Sequence, residues 1–217
     1  MSSVELTRMK HKAVTDRAAL DVLLDEVHLG HFALIVGEYP VVLPIAVARD
    51  RDVVLAHGST GSPWLRTLAS GVETSLAVTA LDGLQVARTA FESGMNYRSA
   101  VLFGRCTVIA ETAAKRRALD VLTDALIPGR LAEVRASTAK EMASTLVLAL
   151  PIEKWSLKVT DGWPEDSAVD MAGDAWAGVV PLSPRYGEPV ASPDLRPGVP
   201  VPASVLGLST GPGDHRA

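Results

Sequence analysis

Cysteine occurs once in the 217 residues, at position 106. The chain can therefore close no internal disulfide and build no zinc site from several thiolates, and a lone thiol fits a reducing, cytoplasmic setting. A basic excess is also missing: 21 Lys and Arg stand against 25 Asp and Glu, a net charge of -4. Nothing there would neutralise a phosphate backbone or an anionic bilayer, so neither nucleic acid nor membrane is expected as a partner. No apolar run approaches the ~20 residues needed to span a bilayer. The opening MSSVELTRMKHK has charges with no apolar stretch behind them, unlike a secretory leader. Catalytic motifs are scarce as well. The five histidines (11, 28, 31, 57 and 215) include no HExxH pair, and there is no GxSxG elbow. Cys106, expected inside a strand beside Arg105, reads as an inert buried thiol. No acid, base or nucleophile is assigned, so any chemistry would be borrowed from a cofactor.

What is present reads as an α+β chain. With 47% hydrophobic residues, it can form one sizeable domain plus appendages. Leu20, Leu23, Leu24 and Val27 follow helical spacing after Asp16, an N-cap, with Gly30 as the expected stop. Residues 31–36, 41–49 and 52–57 are short β-branched runs in meander order. Pro44 removes a ladder donor from the second, which puts that position at an edge, a bulge or a ligand contact. Ser62 before Pro63 opens a two-turn helix that Gly71 ends. Residues 73–88 read as a strand candidate that contains the turn pair Asp82-Gly83 between apolar runs, and 99–110 as a long strand with a bulge or close approach at Gly104. A helix over 112–126 stops at Pro128-Gly129, Thr138 to Glu141 form a capping box, and 145–151 and 154–160 complete the strands. Connections this short suit antiparallel pairing. Beyond Asp161 apolar periodicity fades, and seven of the fourteen prolines fall in residues 184–217. That tail is expected to be extended or partly disordered.

Two stretches carry candidate chemistry. In residues 56–68 a strand ends at His57, a Gly-Ser-Thr-Gly-Ser loop follows and a helix begins, so N–H groups and hydroxyls converge as for a phosphate. The plainer alternative is a helix cap on a glycine turn. The loop is neither a Walker A sequence nor a Rossmann fingerprint. Asn96, Tyr97, Arg98 and Ser99 cluster at a strand entrance, where barrel mouths hold ligands; alternatively, Tyr97 buries its ring and Arg98 pairs with a carboxylate.

The order helix, GHFALIV, VVLPIAVARD, VVLAHGSTGSPWL, ARTAFESGMNYRSAVLFGR and IPGR resembles the pyridoxamine 5'-phosphate oxidase-like, FMN-binding split-barrel superfamily, in its nitroimidazole-resistance branch. The resemblance implies a six-stranded antiparallel split β-barrel over residues 8–160, an extended Pro-rich C-terminal arm over 161–217, a homodimer, and one FMN in each cleft between subunits. By the same resemblance Val42, Leu43, Pro44 and Ile45 would flank the flavin ring. His57, Gly58, Ser59, Thr60 and Ser62 would line the ribityl and phosphate end. Asn96, Tyr97, Arg98 and Ser99 would border the cleft. Many members place a lysine near the start of the helix after His-Gly; here Pro63-Trp64-Leu65 stands in its place and Arg66 is the nearest cation. The function so implied is an FMN-dependent oxidoreductase acting on a small organic molecule. The alternatives are a flavin carrier or sensor without turnover, or a haem protein with His57 as axial ligand. The strand from Ser99 is expected in the dimer interface, and the arm, packed along the barrel or across the partner's cleft, is expected to bury Trp163 and Trp176 without a strand or helix of its own.

Overall fold

The computed structural model describes residues 12–209; residues 8–11 of the expected barrel domain and the polar end at 210–217 lie outside the described residues. Helix α1, Arg17–Glu26, starts where Asp16 accepts the N–H of Ala18 at 3.0 Å and buries Leu20, Leu23 and Leu24. It ends at Glu26, before the expected Gly30, because Gly30 already belongs to strand β2 (Leu29–Val36). A Cβ at Gly30 would stand 2.7 Å from Leu76 Cδ1, so this glycine permits close strand packing and is not a cap.

The remaining strands are β1 (Ala13–Val14), β3 (Tyr39–Asp50), β4 (Val53–Ser59), β5 (Glu73–Val86), β6 (Gly94–Arg105), β7 (Thr107–Val108), β8 (Thr145–Pro151), β9 (Lys154–Thr160) and β10 (Gly178–Pro181). They form one antiparallel sheet in the order β1-β9-β6-β5-β2-β3-β4-β8-β7, with β10 added to β5. Seven of these strands, against the six expected, are seven residues or longer. Residues 73–86 form a single strand, two residues shorter than the expected run 73–88. Asp82-Gly83 is a bulge within it, where the register against β6 shifts between Leu81 and Gly83. The strand expected over 99–110 runs from Gly94 to Arg105, which takes Asn96, Tyr97 and Arg98 into the ladder and leaves Cys106 between β6 and β7.

The register contains the split. Strand β3 pairs with β2 from Tyr39 to Ala46, but with β4 only from Val47 to Asp50. Past Ala56, β4 pairs with β8 alone, so Val41–Ala46 and His57–Ser59 face each other across an opening. On the inner face α1 seals a core that includes Phe32, Leu76, Leu102 and Leu148. On the outer face α3 (Thr112–Leu126) covers Ala48, Leu55, Val147 and Ala149 with Ala118 and Leu122. The smaller helices are α2 (Pro63–Ala69), α4 (Ala139–Ser144), α5 (Ala168–Met171) and α6 (Ala203–Ser209). None of the described helices is long and apolar enough to cross a membrane.

The arm departs from its expected form, since it contains α5, β10 and α6. Strand β2 covers only Ser75–Ala77 of β5, which leaves the far end of that edge open, and β10 fills it from Gly83 to Val86. A Cβ at Gly83 would meet Val180 O at 2.7 Å, so glycine is what lets the arm lie this close. Gln85 Nε2 (2.8 Å) and Asn96 Nδ2 (3.0 Å) donate to Gly162 O. The buried Asp166 carboxylate accepts the Arg88 N–H and Nη1, both at 2.9 Å. Further on, Ser204 donates to Glu133. Within one chain the two tryptophans are not buried along the barrel: Trp163 is 73% and Trp176 65% exposed. Backbone pairing and a buried ion pair, in place of ring burial, fix the arm.

Candidate functional site at the barrel split

The segment Val42–Ile45 lies on the part of β3 that β4 has left, with Val42 and Pro44 exposed and Leu43 and Ile45 packed against the core. Pro44, opposite His31 of β2, costs no ladder bond at this open edge. Across the opening stands His57. The register Ala48 to Leu55 puts the side chain of His57 on the outer face with Pro44 and Ala46, the face that also carries His31. His57 is half-buried, its Nδ1 is buried without a partner, and burial lowers its pKa, so the imidazole is neutral at neutral pH.

After His57 the chain packs tightly. A Cβ at Gly58 would come within 2.4 Å of Leu65 Cδ1, which ties the start of the loop to α2. The loop then uses its own donors: Thr60 N–H to Ser144 O, Gly61 N–H to Ser59 Oγ and Ser62 N–H to Ser59 O, each at 3.0 Å. Ser62 Oγ caps α2 through the N–H of Leu65 at 3.4 Å, and Pro63 has no N–H to offer. Arg66 folds back so that Nε donates to Thr60 O at 2.7 Å. An anion here would meet hydroxyls and the guanidinium and few free backbone N–H groups.

Asn96 to Ser99 lie on β6, separated from β3 by β5 and β2, so one chain does not bring them to the loop. Asn96 is buried with the arm as its partner. The Arg98 guanidinium binds Asp82 (Nη2–Oδ1 2.7 Å) and Glu26 (Nη1–Oε2 2.7 Å), and these carboxylates raise its pKa. That fork ties α1 to the β5 bulge. Tyr97 and Ser99 share the outer face with His31 and Pro44. Tyr97 Oη accepts from Lys158 Nζ at 2.5 Å. Lys158 escapes sequence reading because its one signal is alternation within KWSLKVT. Cys106 is buried and its thiol pKa is pushed up to about 12, which makes it inert. Among the described residues no group of three or more His, Cys, Asp or Glu could hold a metal ion.

Comparison with known proteins agrees with this architecture. Among solved structures, the chain is similar to the FAD and heme binding protein from Mycobacterium smegmatis, with 54% identity and a TM-score of 0.88 over 91% of this chain and 97% of that one. It is also similar to the flavocytochrome Anf3 from Azotobacter vinelandii, with 33% identity and a TM-score of 0.89 over 96% and 97%. A protein from Bacteroides thetaiotaomicron, assigned to 5-nitroimidazole antibiotic resistance, shares the fold at 15% identity, with a TM-score of 0.56 over 68% and 86%. No curated protein sequence matches the chain. The sequence profile of the pyridoxamine 5'-phosphate oxidase family matches residues 16–159, which hold every strand from β2 to β8, the opening between β3 and β4, and nearly all of β9, and the chain belongs to that family.

Proposed function

We propose that the chain binds a flavin, FAD in place of the FMN expected from sequence, together with haem, and works as a homodimeric redox protein acting on a small molecule. The reading is carried by similarity to two proteins named for those cofactors, which extends over 91% and 96% of this chain and so takes in the arm as well as the barrel. Haem, an alternative in the sequence reading, thereby becomes part of the function. Flavin exchanges one or two electrons and haem iron one, so the pair links two-electron donors to one-electron acceptors.

The chain's own residues fit both groups. Val42–Ile45 offer an apolar strand edge for a flat ring, and Thr60 and Ser59 hydroxyls with Arg66 offer partners for phosphate. His57 is the haem ligand of this proposal, because its imidazole is neutral, stands at the opening and has a buried Nδ1 that no described residue satisfies. The homodimer is supported by the outer face. Leu29, Ile35, Val42, Leu81, Leu84 and Met95 are all exposed large apolar side chains on it, and Val42 alone is 62% accessible. A second copy laid there brings Tyr97 and Ser99 of one chain toward the opening of the other.

The absorption spectrum decides. Protein reconstituted with FAD and haemin should show flavin bands and a Soret band, and His57→Ala should lose or shift the Soret band while keeping the flavin bands. Protein that stays colourless after both additions overturns the reading. Reduction of the bound flavin by NADH or NADPH with turnover separates an enzyme from a carrier.

A further inference from the structure

We infer that Lys158 and Tyr97, with Ser99, form an oxyanion subsite that selects a small apolar carboxylate as the molecule the protein acts on. The inference rests on the reading above, which brings this part of the outer face to the opening of a second copy, and it names the substrate class. Lys158 Nζ donates to Tyr97 Oη at 2.5 Å, and that phenol is the one polar partner of the half-buried lysine among the described residues. On the face they share, the ladder neighbours of Lys158 are Ala13, Ser156, Thr160, Tyr97, Ser99 and Val101, none of them acidic. A half-buried ammonium that meets only a neutral phenol lacks the counter-charge such a group ordinarily finds. Arg98, next to Tyr97 in sequence, lies on the opposite face and is already neutralised by Glu26 and Asp82.

The groups gathered here are donors. Accepting from Lys158 leaves Tyr97 its O–H to give, and Lys158 keeps two N–H groups. Ser99 stands directly opposite Lys158 in the ladder between β6 and β9, and its hydroxyl has no partner among the described residues. Thr160, opposite Tyr97, is 6% exposed, yet its Oγ1 is buried without a partner. Buried hydroxyls are rarely left unbonded, so this orphan marks a place where a further polar group belongs. An ammonium flanked by hydroxyl donors matches an oxyanion, and its single positive charge matches the single negative charge of a carboxylate. A phosphate dianion would leave one charge unmatched. Leu81, opposite Tyr97 on β5 and 40% exposed, gives the body of the ligand an apolar surface to lie on.

The test is calorimetric titration of the full, flavin-loaded chain with benzoate and with benzamide, which offers the same ring without the charge. Benzoate should bind about tenfold tighter or more, the gain expected when hydrogen bonds go to a charged acceptor. Lys158→Met should abolish that preference and Lys158→Arg should keep most of it. Tyr97→Phe, which removes the hydroxyl that orients the ammonium, should reduce it about threefold or more. Unaltered thermal midpoints for Lys158→Met and Tyr97→Phe show that folding is not the cause. Absent benzoate binding, equal affinity for the two probes, or a preference that Lys158→Met leaves intact overturns this inference alone. Tighter binding of phenyl phosphate than of benzoate likewise overturns it, by assigning the subsite to phosphate. A chain that takes up no flavin overturns the flavin reading and this inference with it.

Discussion

His57 carries a pH dependence whose sign follows from its burial. Its folded pKa lies below the ordinary 6.5 because desolvation disfavours the imidazolium. Above 6.5 both folded and unfolded chains hold it neutral and stability is unaffected. As pH falls below 6.5 the unfolded chain takes up a proton that the folded one resists, so stability declines until the folded pKa is reached. For the cofactor-free protein, denaturant midpoints should fall as pH drops below the ordinary histidine value of about 6.5, and His57→Gln should flatten that part of the profile; an unchanged slope would place the proton elsewhere. Arg98 makes a second case at this scale. Its guanidinium joins Glu26 and Asp82 in a cluster that is only partly screened by water. Arg98→Ala leaves two carboxylates facing each other and should lower stability by about 1–2 kcal/mol, between the exposed and buried limits for ion pairs. Urea denaturation reads this directly, and the flavin affinity of the same variant should be unchanged.

Among the elements, the arm is the one whose attachment is most open to test. Its hold on β5 depends on Gly83, where an added Cβ would meet backbone and not a yielding side chain. Gly83→Ala should therefore push β10 away, and the amides of 178–180 should lose hydrogen-exchange protection while those of β6 on the other side of β5 keep theirs. Asp166→Ala acts at the other anchor: it strips the Arg88 N–H and guanidinium of their acceptor. The segment from Gly162 to Met171 should then become the protease-sensitive part of the chain, and intact resistance there would show that β10 alone suffices. Helix α2 shows the opposite balance, since its cap, its N1 proline and its terminating Gly71 at φ +78° are all local.

At the scale of the molecule, the arm and the outer face bear on one question, what covers the sheet. The exposed Val180 and Leu84 are cross-strand partners, and Met95 continues the row onto β6, so β10 widens the apolar face on which the dimer is proposed. Sedimentation should give twice the 22.9 kDa chain mass. A stable monomer with flavin bound would remove the shared cleft. Truncation after Thr160 should lower stability, because it removes the acceptors of Gln85, Asn96 and Arg88 and reopens the β5 edge.

By itself the sequence determined whatever is set by contacts near in the chain. Asp16, Ser62 and Thr138 cap the helices they were expected to cap, Gly129 at φ +80° follows the helix that ends at Leu126, and the runs 31–36, 41–49, 145–151 and 154–160 are strands. Side-chain periodicity and caps act over a few residues, and motif resemblance led to the family. Tertiary structure decided what depends on distant partners. Gly30 is a packing glycine because Leu76 approaches it, and Asp82-Gly83 is a bulge because β6 runs past it. Arg98 is ion-paired because two carboxylates, Glu26 and Asp82, reach it from distant parts of the chain. The arm is a strand because β2 stops short of the end of β5. A turn dipeptide is only a local preference, and a ladder of paired backbone groups on either side outweighs it. The site followed the same rule: His57 and Pro44 were each legible as unusual, but only the divergence of β3 from β4 placed them on two banks of one opening.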